Sequence, residues 1–247
     1  MTGIPLCARF SLPTNRLGFC GTPEAGKWLR RAIAEGTEIE RAGRALRSFE
    51  ALYPYLEVLG AATGLDPFDA RVVEAYWIGN DLLDRDWRES FRDLLERLTS
   101  RGLPRSVAAQ LAESLPAGAI PHHTFHVLFV GVGAVTGHVQ TTLPNMERCR
   151  VSWGTIQHVD GKNVVLEGPA LRWDGRAFAV GARRTLSVVH EPDLLEKAKE
   201  GDTLASHWDY AVDRLDPDRL AALEKYTLRS IEAANEVART FPANLGS

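Results

Sequence analysis

Two residues far apart in the chain, Cys149 and His207, are the first candidates for chemistry. Cys149 opens the run Cys149-Arg150-Val151-Ser152-Trp153-Gly154, and His207 sits in Ala205-Ser206-His207-Trp208. A thiolate is a soft, electron-rich donor and a neutral imidazole suits iron or zinc, so the pair can serve a metal or a metal-bearing cargo. A second cluster, Pro121-His122-His123-Thr124-Phe125-His126, supplies three more imidazoles. On a helix His122 and His126 share a face, and His123 and His126 are also neighbours. Either pair offers two nitrogens to iron or zinc. In an extended segment His122 and His123 would part. Purely structural roles compete with each of these readings: Cys149 as a small buried hydrophobe, His207 satisfied by a backbone acceptor, and the cluster used for capping or packing.

The other cysteines, Cys7 and Cys20, are thirteen positions apart and do not form a compact CxxC site. An odd, widely spaced set of three cysteines does not resemble a secreted disulfide framework. Cys7 and Cys20 are expected in an N-terminal loop that can approach the histidines and complete a second metal site, with Arg9 or Arg16 holding an anionic ligand. Tyr76-Trp77 can line a pocket, or simply end a helix at Gly79. Trp153 and Trp208 read as packing residues. No catalytic triad, phosphate-binding glycine loop or compact zinc module is present.

These residues need elements to position them. The 247 residues are 45% hydrophobic and 25% charged, enough for one large core or two modest ones, with no sign of global disorder. A net charge of -3 argues against a general nucleic-acid binder. The start of the chain lacks the pattern of a signal peptide, and the most apolar stretch, 126–139, is too short to span a bilayer. A cytoplasmic protein without membrane insertion is expected. Residues 22–116 carry helical periodicity, with Trp87, Phe91, Leu94, Leu95 and Leu98 as a core stripe. Residues 126–135 read as a buried strand interrupted by glycine. Between 150 and 189 five short strands are separated by Asp160-Gly161, Gly168-Pro169 and Asp174-Gly175, and suggest a small barrel. Asp216-Pro217 begins a final helix to about residue 240. The expected fold is α+β: a mainly helical domain (1–125), a strand-rich connector (126–148), and an OB-like β-barrel with a C-terminal helix (149–247).

Residues 149–230 resemble the HypC/HupF family of hydrogenase-maturation chaperones. The likeness lies in Cys149 through Asp160-Gly161 without a gap, then in Gly201-Asp202, the strand reaching His207, and the passage through Asp216, Leu220 and Leu223 into a helix. It covers about a third of the chain and leaves the N-terminal region uncovered. The chain departs from the family in three places. Its cysteine is internal rather than next to the start, Trp153 replaces the proline before Gly154, and Asp209-Tyr210-Ala211 stands for the Gly-Phe-Ala-like segment. The resemblance implies a small barrel on which Cys149 holds an iron fragment bearing cyanide and carbon monoxide, with His207 as second ligand or positioning group. Its partners would be hydrogenase maturation proteins or the hydrogenase large subunit. The alternatives are a metal-dependent or redox enzyme built on His122, His123 and His126 with Cys7 or Cys20, and a non-catalytic scaffold. The first alternative requires three ligands to converge on an open position in a substrate-sized pocket.

Overall fold

The computed structural model describes residues 1–238. The chain is α+β, as expected: a mainly helical N-terminal region, a closed five-stranded barrel and a C-terminal helix. Seven helices come first: α1 (Ile4–Arg16), α2 (Ala25–Ala34), α3 (Ile39–Leu46), α4 (Leu52–Thr63), α5 (Ala70–Trp77), α6 (Arg88–Ser100) and α7 (Arg105–Glu113). The stripe Trp87, Phe91, Leu94, Leu95 and Leu98 is buried, as its 3.6-residue period predicts. Among the described residues no helix is long and apolar enough to cross a membrane.

Two segments differ from expectation. Cys7 lies within α1 and not in a loop. Pro5 fits the first turn, where an N–H has no intrahelical partner, and the buried face of Cys7, Ala8, Phe10 and Leu12 holds the helix despite Pro13. Only Cys20 lies in the turn that follows. The connector is not strand-rich either. Residues His123–Phe125 form a short helical turn, α8, which widens into a π-turn over His126–Gly131. A loop and helix α9 (Leu143–Cys149) complete it. A short, wholly buried apolar run has no periodicity that separates strand from helix, and here the capping of α8 by the His122 side chain decides. Gly133 (φ +74°) lets the 132–139 loop double back, because a Cβ there would lie 2.0 Å from the Val139 carbonyl oxygen.

The barrel consists of β1 (Ser152–Asp160), β2 (Asn163–Trp173), β3 (Phe178–Val189), β4 (Thr203–His207) and β5 (Tyr210–Arg214). It closes in the order β1-β2-β3-β5-β4, with β4 paired to β1 and a parallel β3–β5 contact, an OB-like arrangement. The turns at Asp160-Gly161 and Asp174-Gly175 are present, but Gly168-Pro169 lies inside β2 beside a register shift. A Cβ on Gly168 would lie 1.9 Å from the Trp153 carbonyl oxygen, so this glycine permits close approach of β1 rather than a turn. What read as four short strands over 163–189 is therefore two long ones, and 203–214 supplies the last pair. The final helix, α10 (Pro217–Ala238), packs on α8, the π-turn and β3. Residues 239–240 of the expected helix lie outside the described residues.

One apolar cluster bridges the barrel end and the helices, while the barrel interior keeps its own around Ile156, Val164, Leu166 and Leu204. Val151, Trp153, Ala205 and Val212 belong to the same apolar cluster as the helical Phe10, Tyr76, Trp77 and Phe91. Helix α9 is fixed to the barrel by a buried ionic knot. Glu147 accepts from Arg150 Nε (2.9 Å) and Nη2 (3.0 Å), from Arg184 Nη2 (2.7 Å), and from the Leu171 amide (2.7 Å). Arg150 is fully buried, so this knot must be satisfied in full to be tolerated.

Candidate metal centre

Cys149 is the last residue of α9, and its carbonyl is one of the acceptors a helix end leaves without an intrahelical donor. His123 Nε2 donates to that oxygen at 2.8 Å. The same nitrogen lies 3.9 Å from Cys149 Sγ. His207 arrives at the end of β4, and its ring stands edge-on to His123 with centroids 5.2 Å apart. One donor atom from each of His123, Cys149 and His207 lies within 4.8 Å of the other two, and all three side chains are buried. Residues 26 and 58 positions from one another in sequence thus meet because α9 docks on the barrel while α8 lies beneath both.

The β4–β5 turn that carries His207 is tight. Trp208 (φ +51°) and Asp209 (φ +63°) both occupy the left-handed region, a two-residue turn that favours glycine or asparagine and strains a tryptophan. The turn is held by the Trp208 amide on the Arg148 carbonyl oxygen (2.7 Å) and by an Arg148–Asp209 ion pair (2.7 Å). In this conformation the Trp208 indole packs in one cluster with Cys149 and meets the Phe19 ring at a tilt of 55°.

Whether these groups fit a metal can be judged donor by donor. His207 Nδ1 donates to the Phe10 carbonyl oxygen at 2.7 Å, which fixes the tautomer and leaves Nε2 as a lone pair. That Nε2 is buried with no partner. A buried acceptor without a donor is costly, and a metal ion is one group that would satisfy it. Tyr76 Oη lies 3.0 Å from His123 Nδ1. A hydroxyl can donate or accept, so it supports either tautomer of His123; to take a metal, Nε2 must give up its proton and its hydrogen bond to the Cys149 carbonyl oxygen. The Cys149 thiol is pushed well up by burial, so without a cation it stays protonated. Tetrahedral zinc, with bonds of about 2.0–2.3 Å, places its donors roughly 3.3–3.6 Å apart. The observed separations are wider, 3.9 Å between Cys149 Sγ and His123 Nε2 and up to 4.8 Å across the triad, so the side chains close in to hold an ion. The donor set fits iron or zinc.

The triad forms part of the wall of a small cavity of about 70 Å³. Phe49, Tyr76, Trp77, Trp208, Val132 and Val139 supply much of the apolar lining, and Ser11, Thr14 and Thr136 a few hydroxyls. His126 lines the same cavity, with Nδ1 engaged by Tyr55 Oη at 3.0 Å. Burial lowers the pKa of His126 and His207 to about 4, and that of His123 well below its usual value.

The remaining candidates divide. Cys20 lines the cavity but stands outside the triad, its thiol donating to Glu50 at 3.5 Å. Cys7 is buried among apolar side chains and does not join the triad; burial pushes its pKa up to about 12. His122 turns away: its Nδ1 accepts from the Thr124 amide and meets Ser230 Oγ of α10. Arg9 and Arg16 are committed to Asp213 and Glu191 and do not line the cavity. Tyr76-Trp77 does line it. Sequence reasoning did not identify Tyr55, Phe10 or the 132–139 loop as parts of the site. Apart from hydrophobicity, nothing in their local sequence marks them.

Residues 1–240 match a family described as a family of unknown function (DUF6390). The chain belongs to this family. The match runs through helices, connector and barrel alike and spans the positions of the triad. No curated protein and no solved structure matches the chain.

Proposed function

We propose that this protein is metal-dependent, with Cys149 Sγ, His207 Nε2 and His123 Nε2 as ligands and an open position facing the cavity. The observation that carries this reading is the partnerless, buried Nε2 of His207 beside a buried thiol and a second imidazole. Three protein donors with a vacant fourth position are the pattern of catalytic rather than structural zinc sites. A zinc or iron ion held there supplies a Lewis acid, and iron a one-electron couple as well. The Phe10 carbonyl and Tyr76 hydroxyl orient the two imidazoles. His126, whose Nδ1 is held by Tyr55, offers Nε2 to accept a proton from a molecule in the cavity. Three free cysteines suit a reducing compartment such as the cytoplasm.

A second reading keeps the ligands and changes the work. The meeting of Cys149 with His207 is the pairing that the HypC/HupF resemblance implies, and it supports an iron–cyanide–carbon monoxide fragment as cargo. In that case the partners are hydrogenase maturation proteins or the hydrogenase large subunit. Anaerobic purification followed by metal analysis and infrared spectroscopy separates the two. One equivalent of iron or zinc without diatomic-ligand bands is expected for a resident centre. Cyanide and carbon monoxide bands that disappear on adding a hydrogenase large subunit would favour cargo. If neither the purified protein nor protein titrated with Zn(II) or Fe(II) holds metal, both readings fail.

A further inference from the structure

The wall of the cavity has a property that the metal alone does not require. Of the described residues that line it, none is Asp, Glu, Lys or Arg. The nearest carboxylate argued above, Glu50, stands behind Cys20 and already accepts from the Cys20 thiol and the Gly21 amide (3.0 Å). The arginines closest in sequence to the lining are tied elsewhere: Arg148 to Asp209, Arg150 to Glu147, Arg9 to Asp213 and Arg16 to Glu191.

We infer that the molecule admitted to this metal centre is small and uncharged, with an aromatic or otherwise apolar body and one lone-pair donor directed at the open position. This inference rests on the metal-centre reading and names its substrate class. With one thiolate and two neutral imidazoles, a divalent ion leaves a single positive charge, which favours a lone pair or an anionic atom bound directly to it. A charge carried at the far end of the ligand is different. It would be buried against Phe49, Trp77 and Val139 with no counter-ion, and burying an unpaired charge is strongly unfavourable. Aromatic walls instead reward a flat apolar body, while Ser11, Thr14 and Thr136 can orient one neutral polar group.

The test uses the full-length protein loaded with Co(II), whose visible spectrum reports the fourth position. Nicotinamide and nicotinate share shape and ring nitrogen and differ by one charge remote from that nitrogen; pyridine is the parent probe. Pyridine and nicotinamide are expected to change the cobalt spectrum saturably, with nicotinate about 100-fold weaker than nicotinamide. Thr136→Arg, which places a cation in the wall without touching the ligands, is expected to narrow that gap by about 10-fold. Nicotinate binding within about threefold of nicotinamide, or silence of both neutral probes on the cobalt-loaded protein, would overturn the inference while leaving the centre intact. Failure to load cobalt at a Cys149-dependent site is a separate outcome and removes the centre itself.

Discussion

His122 and His123 are adjacent, chemically identical and both buried, yet the two sides of the turn they occupy hold different machinery. On the back, His122 faces α10, where its Nδ1 accepts from the Thr124 amide and meets Ser230 Oγ. On the front, His123 and His126 face the cavity, with ring planes 18° apart and centroids 6.4 Å apart. What separates the two sides is the company of the imidazole. The back offers the Thr124 amide and the Ser230 hydroxyl to His122 Nδ1, while its Nε2, buried without a partner, has no thiol and second imidazole beside it among the described residues. The front brings in a thiol from α9 and a lone pair from β4, donors of two other elements, beside a His123 whose Nε2 is held by the Cys149 carbonyl oxygen until a metal takes its place. Burial makes a histidine neutral; convergence with a thiol and a second imidazole makes it a candidate ligand.

The largest effects should fall on the front. Cys149→Ser removes the only thiolate of the triad and should lower affinity for Zn(II) or Co(II) by more than the roughly 10–100-fold typical of supporting residues. Competition titration against a chelator measures it. Cys7→Ser, an equally buried thiol outside the triad, should leave metal stoichiometry and affinity unchanged; equal losses in the two variants would erase the distinction between the regions. Next comes the dock that brings α9 to the front. Glu147→Gln leaves Arg150 charged and buried without its carboxylate and should cost about 3–5 kcal/mol in denaturant unfolding.

Acid tests both sides at once. In the metal-free protein burial holds the pKa of His122 at about 3 and those of His126 and His207 at about 4. In the unfolded chain these groups take up protons near the ordinary value of about 6.5. Between those limits the unfolded state binds more protons, so the stability they confer is full above about 6.5 and is lost as pH falls toward 4. Each histidine contributes at most ~1.4 kcal/mol per pH unit in that window. Thermal melts of metal-free protein between pH 7 and 4.5 should show a falling midpoint; a flat profile would mean these rings are not held neutral.

Much of this was legible in the sequence, for reasons that differ from place to place. Cys149 and His207 were visible because few residue types bind soft metals and their placement in the barrel motif was distinctive. The barrel was visible through its turns at Gly161 and Gly175, both with positive φ. Gly168 carried the same residue signal for the opposite reason, close strand approach, which no single sequence reveals. The aromatic and glycine residues around Cys7 and Cys20 suggest a loop, but at Cys7 packing of the buried face makes a helix despite Pro13. Which histidine of the cluster faces the thiol depends on the phase of a three-residue helical turn that widens at once into a π-turn. Sequence spacing does not set that phase; the His122 cap and the packing of α10 do.

The finest test therefore exchanges roles across one peptide bond. His123→Ala should abolish tight metal binding, because only two donors of the triad remain. His122→Ala should leave metal affinity unchanged and cost stability instead, about 1–2 kcal/mol for the lost cap and its hydrogen bonds. His122→Asn restores an acceptor at the cap position and should recover about half of that. Metal titration and denaturant unfolding on these three variants give two independent columns of numbers. If His122→Ala weakens metal binding as much as His123→Ala, the back of the turn is no mere cap. The site would then extend through the helix to Ser230, and the orientation of His123 would depend on α10 as much as on Tyr76.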